Sequence, residues 1–392
     1  MRKKTLSFEP PERLKKLPPY LFVEVDRRKR ELLAKGKDVI DLGVGDPDLP
    51  SPDFVIEALS QAARDPKNHR YALDAGLPDL RETFTHWFYE RFHVKLDPIE
   101  EVLPLIGSKE GIAHLPLAIL NPGDVSLVPD PCYPVYKSAT YLAGATPYLL
   151  PLLESNDFLP DYSVIEPEAL KKARLLFLNY PNNPTSACAT KEFFEKSVAF
   201  AQEHGILLAQ DAAYSEMTYD GYVAPSVLEV EDAKEVAIEF HSLSKTYNMT
   251  GWRIGFAVGN RDAVKLLAKV KSNIDSGIFQ AIQLAGKCAL EKGKSALEKS
   301  LAIYKKRRDL FIGGLNRLGW KIPLSKGTFY CWIPVPSGYT SQELAMKFLD
   351  EAQIIVTPGN GFGPNGEGYV RASLTLKEER LEEALRRIAK IH

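Results

Sequence analysis

With 392 residues, 45% hydrophobic and 26% charged, the chain has the composition of a globular protein able to build a sizeable core in one large or two medium domains. Fifty Lys and Arg against fifty-one Asp and Glu leave a formal net charge of -1, which excludes a bulk pull towards nucleic acid or an anionic membrane and points to a small-molecule partner. The four cysteines, Cys132, Cys188, Cys288 and Cys331, show neither CxxC nor Cys/His spacing, so no disulfide framework and no metal are expected.

The opening MRKKTLSFEPPERLKKLPPYLF breaks its basic start with prolines and charges before an apolar leader core can form, and no apolar run reaches the roughly 18 residues of a membrane span. A cytoplasmic location is the expectation. Next, LFVEVDRRKRELLAKG reads as a helix stopped at Gly36, followed by a short strand in DVIDLGVG and a turn in DPDLPSPD. From Phe54 to about Lys245, helical patterns alternate with apolar runs such as EEVLPLIGS, GDVSLVPD, TPYLLPL, ARLLFLNY, ILLAQDAAY and EVAIEFHSLSK. Strands covered on both faces read as continuous apolar runs, so the alternation predicts an α/β fold with a mostly parallel, doubly wound sheet. Beyond Arg261 helices dominate, and TFYCWIPV, IIVTPG and YVRASL read as strands of a smaller α+β unit closed by the helix LKEERLEEALRRIAKI. The expected domains are 1–48 (N-terminal segment and part of the small domain), 49–285 (large) and 286–392 (small).

In open α/β sheets ligands collect where strands end. Three such ends carry unusual groups: Asn179, Asn182 and Asn183 in YPNNP, Asp211 with Tyr214 in QDAAY, and Ser242, Ser244 and Lys245 in SLSK. Singly these have plain readings as turn formers, a helix cap and a solvated amine. Together a carboxylate, a phenol, an amide and a lysine are the parts required by pyridoxal phosphate, which needs a Schiff-base lysine, an anion at its ring nitrogen and an anion cup. Ser108 at a helix start, with Ser242, Ser244 and Arg253, could form that cup, while Gly251 and Gly255 would let the backbone turn closely behind it.

The segments DLGVGDPDLPSP, YALDAGLPDLRE, GSKEGI, PDPCYPVY, NYPNNPTSA, QDAAYSE, SLSKTYNMTGWRIGFAVGN and YVRASL resemble, in order and spacing, the aspartate-aminotransferase family, fold type I of the pyridoxal-phosphate enzymes, over nearly the whole chain. The resemblance implies a large domain with a mostly parallel seven-stranded sheet, and a homodimer with shared active sites. It further implies Lys245 as the Schiff-base lysine, Asp211 at the pyridine nitrogen, Asn183 and Tyr214 at the ring 3-oxygen and Tyr133 stacked on the ring. Ser108, Lys109, Ser242, Ser244 and Arg253 would surround the phosphate, with Tyr71 entering from the other subunit. Arg371 and Gly45 would hold the substrate α-carboxylate, and Tyr20 would contact substrate from the N-terminal segment. Lys245, once freed, would act as general base, its pKa lowered by Arg253 and the cofactor ring.

Within the family, KLPPYLFVEVDRRKRE, NIDSGIFQAIQ and GNGFGPNGEGYVRASLT look most like the branch that moves an amino group between LL-diaminopimelate and 2-oxoglutarate on the way to lysine. Aspartate, alanine or other amino-acid aminotransferases of the same fold are the alternative. A transcriptional regulator with an aminotransferase-like domain would need a basic helix-turn-helix unit ahead of the first strand, and none is read there. Ser186 departs from the family pattern, where glycine usually follows Asn-Pro-Thr; glycine would permit a positive φ, so a different local turn is expected, with the site intact because Asn183 and Pro184 are retained. Phe84, Trp87, Phe88, Tyr89 and Phe92 on one helix are read as core or dimer packing. The histidines His69, His86, His93 and His114 are read as structural or exposed, and the loop PGNGFGPNGEG as a substrate-side loop near Arg371.

Overall fold

The computed structural model describes residues 8–17, 23–72 and 75–391. The first long helix, Val23–Ala34, ends just before Gly36, whose φ of 69° suits glycine, and β1 (Ile40–Asp41) follows.

Seven strands then build the large sheet: β2 (Val102–Leu105), β3 (Val125–Asp130), β4 (Thr146–Pro151), β5 (Ala173–Asn179), β6 (Leu207–Asp211), β7 (Ala237–Ser242) and β8 (Gly255–Gly259). Their order is β2-β8-β7-β6-β5-β3-β4, and only β8 runs antiparallel to its neighbours, which bears out the mostly parallel expectation. Alternate residues of one strand serve opposite cores. Leu176, Leu178 and Leu208 pack with Leu80, Phe84, Phe194 and Val198 from helices on one face. Leu175, Phe177 and Ala209 pack with Ile112, Leu115, Val264 and Leu267 on the other. Each fully buried Leu or Phe contributes roughly 2 kcal/mol, and two covered faces explain the continuous apolar runs. The aromatic helix Pro78–Phe92 buries Phe84, Phe88 and Phe92, as expected for core packing, and leaves Tyr89 exposed.

The smaller unit holds β9 (Tyr330–Pro334), β10 (Ile354–Ile355), β11 (Thr357–Pro358) and β12 (Tyr369–Ser373). An antiparallel sheet runs β11-β12-β9, while β1 pairs in parallel with β10. Ile40 and Leu42 therefore share an apolar cluster with Phe311, Leu315, Ile333, Phe348 and Ala384. Among the described residues no helix is long and apolar enough to cross a membrane.

Candidate active site

At the end of β7 the Ser242 side chain accepts from Ser244 N (3.2 Å) and starts the short helix Leu243–Thr246, which carries Lys245. Register places Ser242 opposite Gly255 of β8. A Cβ on Gly255 would lie 2.6 Å from His241 O and 2.9 Å from Ser108 N, so glycine lets β7, β8 and the start of the helix Ser108–Ile119 meet. Gly251 has open space around it, and the close approach expected of both glycines falls on Gly255 alone. Arg253 completes the cup: its guanidinium donates to Thr250 O (2.9 Å) and Ile106 O (3.4 Å), and a Cβ on Gly107 would overlap it. Ser108, Ser242 and Ser244 are buried, whereas Lys109 is exposed in the first turn. Free amides at a helix start, hydroxyls and a guanidinium are the donors an anion needs.

On β6, Asp211 is 6% exposed and accepts from the Tyr136 hydroxyl (2.8 Å) and Ala213 N (3.3 Å). Burial pushes its carboxyl up to about 6, against the lowering by those two hydrogen bonds and by nearby His241. Beside it, Tyr133 meets Tyr136 edge-on with ring centroids 5.9 Å apart, and burial raises its phenol far above the usual range. Asn179 and Asn182 spend their amides on the β5 turn: Asn179 bridges Asp211 O (2.7 Å) and Asn183 N (2.8 Å), and Asn182 accepts from Thr185 N (3.0 Å). Asn183 faces elsewhere, its Oδ1 taking a hydrogen bond from Arg371 (2.7 Å).

The facing wall comes from distant sequence. Arg371 on β12 donates to Asn183 Oδ1 and to Gly43 O (2.8 Å), lies 4.2 Å over the Tyr330 ring and 4.7 Å over Phe362, and keeps a buried Nε without a partner. Phe362 places the glycine-rich loop beside Arg371, as its position before a strand suggested. The Lys245 amine donates to Gly45 O (2.9 Å). Burial brings it down to about 8; Asp46 opposes the shift, and Arg371 and Arg253 add smaller lowering contributions, so desolvation rather than Arg253 is the main cause. Gly45 is pressed against Tyr330, whose hydroxyl a Cβ would overlap.

Lys245, Asp211, Asn183, Tyr133, Tyr214, Ser108, Ser242, Ser244 and Arg253 thus fall at strand ends of the large sheet, while Gly45 and Arg371 lie on the facing wall, Arg371 in the middle of β12. Gly43 rather than Gly45 meets Arg371. Tyr71 points outward, 86% exposed, and Tyr20 lies outside the described residues. At Ser186 the expectation of a different turn is overturned: the serine itself adopts φ 62°, and its Oγ bonds Thr328 Oγ1 (2.8 Å) and Tyr330 O (3.0 Å), offsetting the strain that glycine would have avoided. Sequence reasoning missed Tyr136, Tyr330 and the buried pair His241–Glu239 (2.5 Å). A second tyrosine one helical turn after Tyr133 was the available signal for Tyr136.

A desolvated lysine, a buried carboxylate, an anion cup and a buried arginine around strand ends of a seven-stranded sheet define a transaminase-type pyridoxal-phosphate enzyme. Residues 37–388 match the family model described as aminotransferase class I and II, and the chain belongs to that family. It is 54% identical to the LL-diaminopimelate aminotransferase of Aquifex aeolicus over 97% of this chain and 98% of the relative. To the protein of that name from Syntrophobacter fumaroxidans it is 53% identical over 98% of this chain and 100% of the relative. Among solved structures, substrate-bound BacF from Bacillus subtilis superposes with a TM-score of 0.95 at 40% identity, covering 98% of both chains.

Proposed function

We propose that the chain transfers an amino group between LL-diaminopimelate and 2-oxoglutarate in lysine biosynthesis, with pyridoxal 5′-phosphate held on Lys245, in the cytoplasm. The observation that carries the chemistry is the half-buried Lys245 amine, brought down to about 8 chiefly by desolvation, so that a useful fraction is neutral near pH 7. Identity of 53–54% over nearly full length to relatives named for LL-diaminopimelate supports the substrate.

The residues present fit the cofactor. Asp211, with its pKa raised to about 6, gains from a cationic ring nitrogen beside it. Tyr133 offers a stacking face, Asn183 and Tyr214 polar groups for the ring oxygen, and Ser108, Lys109, Ser242, Ser244 and Arg253 donors for the phosphate. When bound, the cofactor supplies an electron sink for the substrate's Cα–H bond.

Arg371 grips the substrate α-carboxylate, its orphaned Nε adding a donor, and Asn183 holds the guanidinium in plane. That grip sets the orientation of Cα–H towards Lys245, whose neutral amine accepts the Cα proton. Residues 49–285 act as the cofactor domain, with 1–48 as the N-terminal segment and part of the small domain and 286–392 as the rest of it; the β1–β10 pairing supports this division. The active unit is a homodimer with Tyr71 entering the neighbouring site. Support comes from the exposed Tyr71 and Phe279, which line one open concave patch, with Gln280 Nε2 donating to Tyr71 O (3.4 Å).

A half-reaction screen tests the reading: the loaded protein is mixed separately with LL-diaminopimelate, glutamate, aspartate and alanine, and loss of its visible absorption is followed. Conversion by LL-diaminopimelate and glutamate is expected. Conversion by aspartate or alanine but not LL-diaminopimelate would shift the assignment to another aminotransferase.

A further inference from the structure

Tyr214 and Tyr330 bring their hydroxyls within 2.8 Å of each other, with both residues at least 95% buried, as their 5% and 2% exposures show. Around them lie the apolar Phe329, Met217 and Tyr304. The charged groups facing the pair are Arg371, stacked on the Tyr330 ring, and Asp211 at the end of β6. Gly45 closes the other side of the Tyr330 hydroxyl, and its carbonyl is already engaged by Lys245.

The backbone of Tyr330 is held at both ends. Its N–H donates to Thr328 Oγ1 (3.0 Å) and its carbonyl accepts from Ser186 Oγ (3.0 Å), while Ser186 and Thr328 share a hydrogen bond (2.8 Å). Both of these residues sit at φ 62°, a left-handed conformation that a side chain ordinarily disfavours. Two disfavoured conformations flanking one tyrosine are kept because their hydroxyls fix where that tyrosine starts β9.

We propose that Tyr330 is a positioning residue: its O–H donates to the Tyr214 oxygen, so that Tyr214 directs its own proton to the cofactor's ring oxygen, with Ser186 and Thr328 fixing the donor. This rests on the reading of Tyr214 as the ring-oxygen donor. With an acceptor in front of Tyr214, donation from Tyr330 is the arrangement that satisfies both hydroxyls, and a donor that itself accepts is polarised and strengthened. The ring oxygen carries more negative charge when the lysine linkage is unprotonated, so a stronger donor lowers the pH at which that linkage titrates.

The test is a pH titration of the visible absorption of loaded wild type, Tyr330→Phe, Tyr214→Phe and the double variant. Phenylalanine keeps the ring beneath Arg371 and removes only the hydroxyl. Tyr330→Phe is expected to raise the titration midpoint by about 0.3–1 pH unit, the scale of one hydrogen bond, and to lower kcat with KM for the amino donor changed less than about twofold. In the Tyr214→Phe background it should add nothing. Tyr219→Phe, which deletes a buried hydroxyl in the same cluster that has no partner, should leave the midpoint in place. A wild-type midpoint in Tyr330→Phe, or the same shift in both backgrounds, would overturn the proposal while leaving the cofactor reading standing. A wild-type midpoint in Tyr214→Phe would overturn the reading of Tyr214 on which it rests.

Discussion

The wall formed by the ends of β5, β6 and β7 takes Asn183, Asp211, Tyr214 and Lys245 from the last residue of a strand or the turn just after it, so each is fixed by a ladder of parallel strands. The facing wall assembles Gly43, Tyr330 and Arg371 from after β1, from β9 and from β12; Tyr330 and Arg371 share the antiparallel β9–β12 ladder, and Gly43 is tied to it by the single bonds from Arg371 and from Thr357 Oγ1 (3.1 Å) to Gly43 O. A sheet edge holds the groups that must keep one geometry through the reaction. The groups proposed to grip the substrate sit on a separate sheet. Changes on the first wall should therefore alter the bound cofactor itself, and changes at Gly43 and Arg371 should alter substrate affinity; Tyr330, whose hydroxyl reaches across to Tyr214, belongs by its effect to the first wall.

The largest effect is expected from Lys245→Ala, which removes tether and base together: kcat should fall by about 10⁴-fold or more and the visible absorption should vanish. Measuring the spectrum and single-turnover rates checks both. Arg371→Lys lies on the other wall and should lower kcat/KM by roughly 10–100-fold, mostly through KM, because an ammonium cannot keep the paired contacts with Asn183 and Gly43 while forking onto a carboxylate. Its absorption spectrum should match wild type, and a changed spectrum would blur the division between the walls.

Asp211→Asn separates stability from function on the first wall. In the cofactor-free protein the carboxyl is raised to about 6, above its ordinary 3.8, so the folded state holds a proton that the unfolded state has released. Stability is then lost as pH rises from about 4 to about 6, and asparagine removes that loss: the cofactor-free variant should be more stable at pH 7 by about 2–3 kcal/mol and equal to wild type below pH 4. Denaturant titrations at the two pH values check this, while activity should drop. Ser186 gives the smallest effect. Ser186→Ala keeps the strained φ but loses two hydrogen bonds, costing about 1–2 kcal/mol, whereas Ser186→Gly relaxes the backbone and should cost less than half of that.

The same contrast explains what could be read from the sequence. Asn183, Asp211 and Lys245 announce themselves because each lies where an apolar run breaks into polar residues, and the covered sheet makes those runs continuous. Arg371 was legible only through the YVRASL resemblance. Tyr330 was not legible at all: it sits inside the strand-like TFYCWIPV, and its role follows from β9–β12 register, which places Arg371 opposite Trp332 and diagonal to Tyr330 on one face. Tyr136 hid on a helix interior for a similar reason, as its partner Asp211 is 75 residues away. Ser186 was noticed as a departure but misjudged, because its compensation comes from Thr328 and Tyr330 across the pocket.

The central claim, that Lys245 holds the cofactor, is tested most directly by borohydride reduction of the loaded protein followed by peptide mass mapping. The expected result is a single reduced adduct on the peptide carrying Lys245. An adduct on another lysine, or none on this peptide with the visible absorption present beforehand, would contradict it.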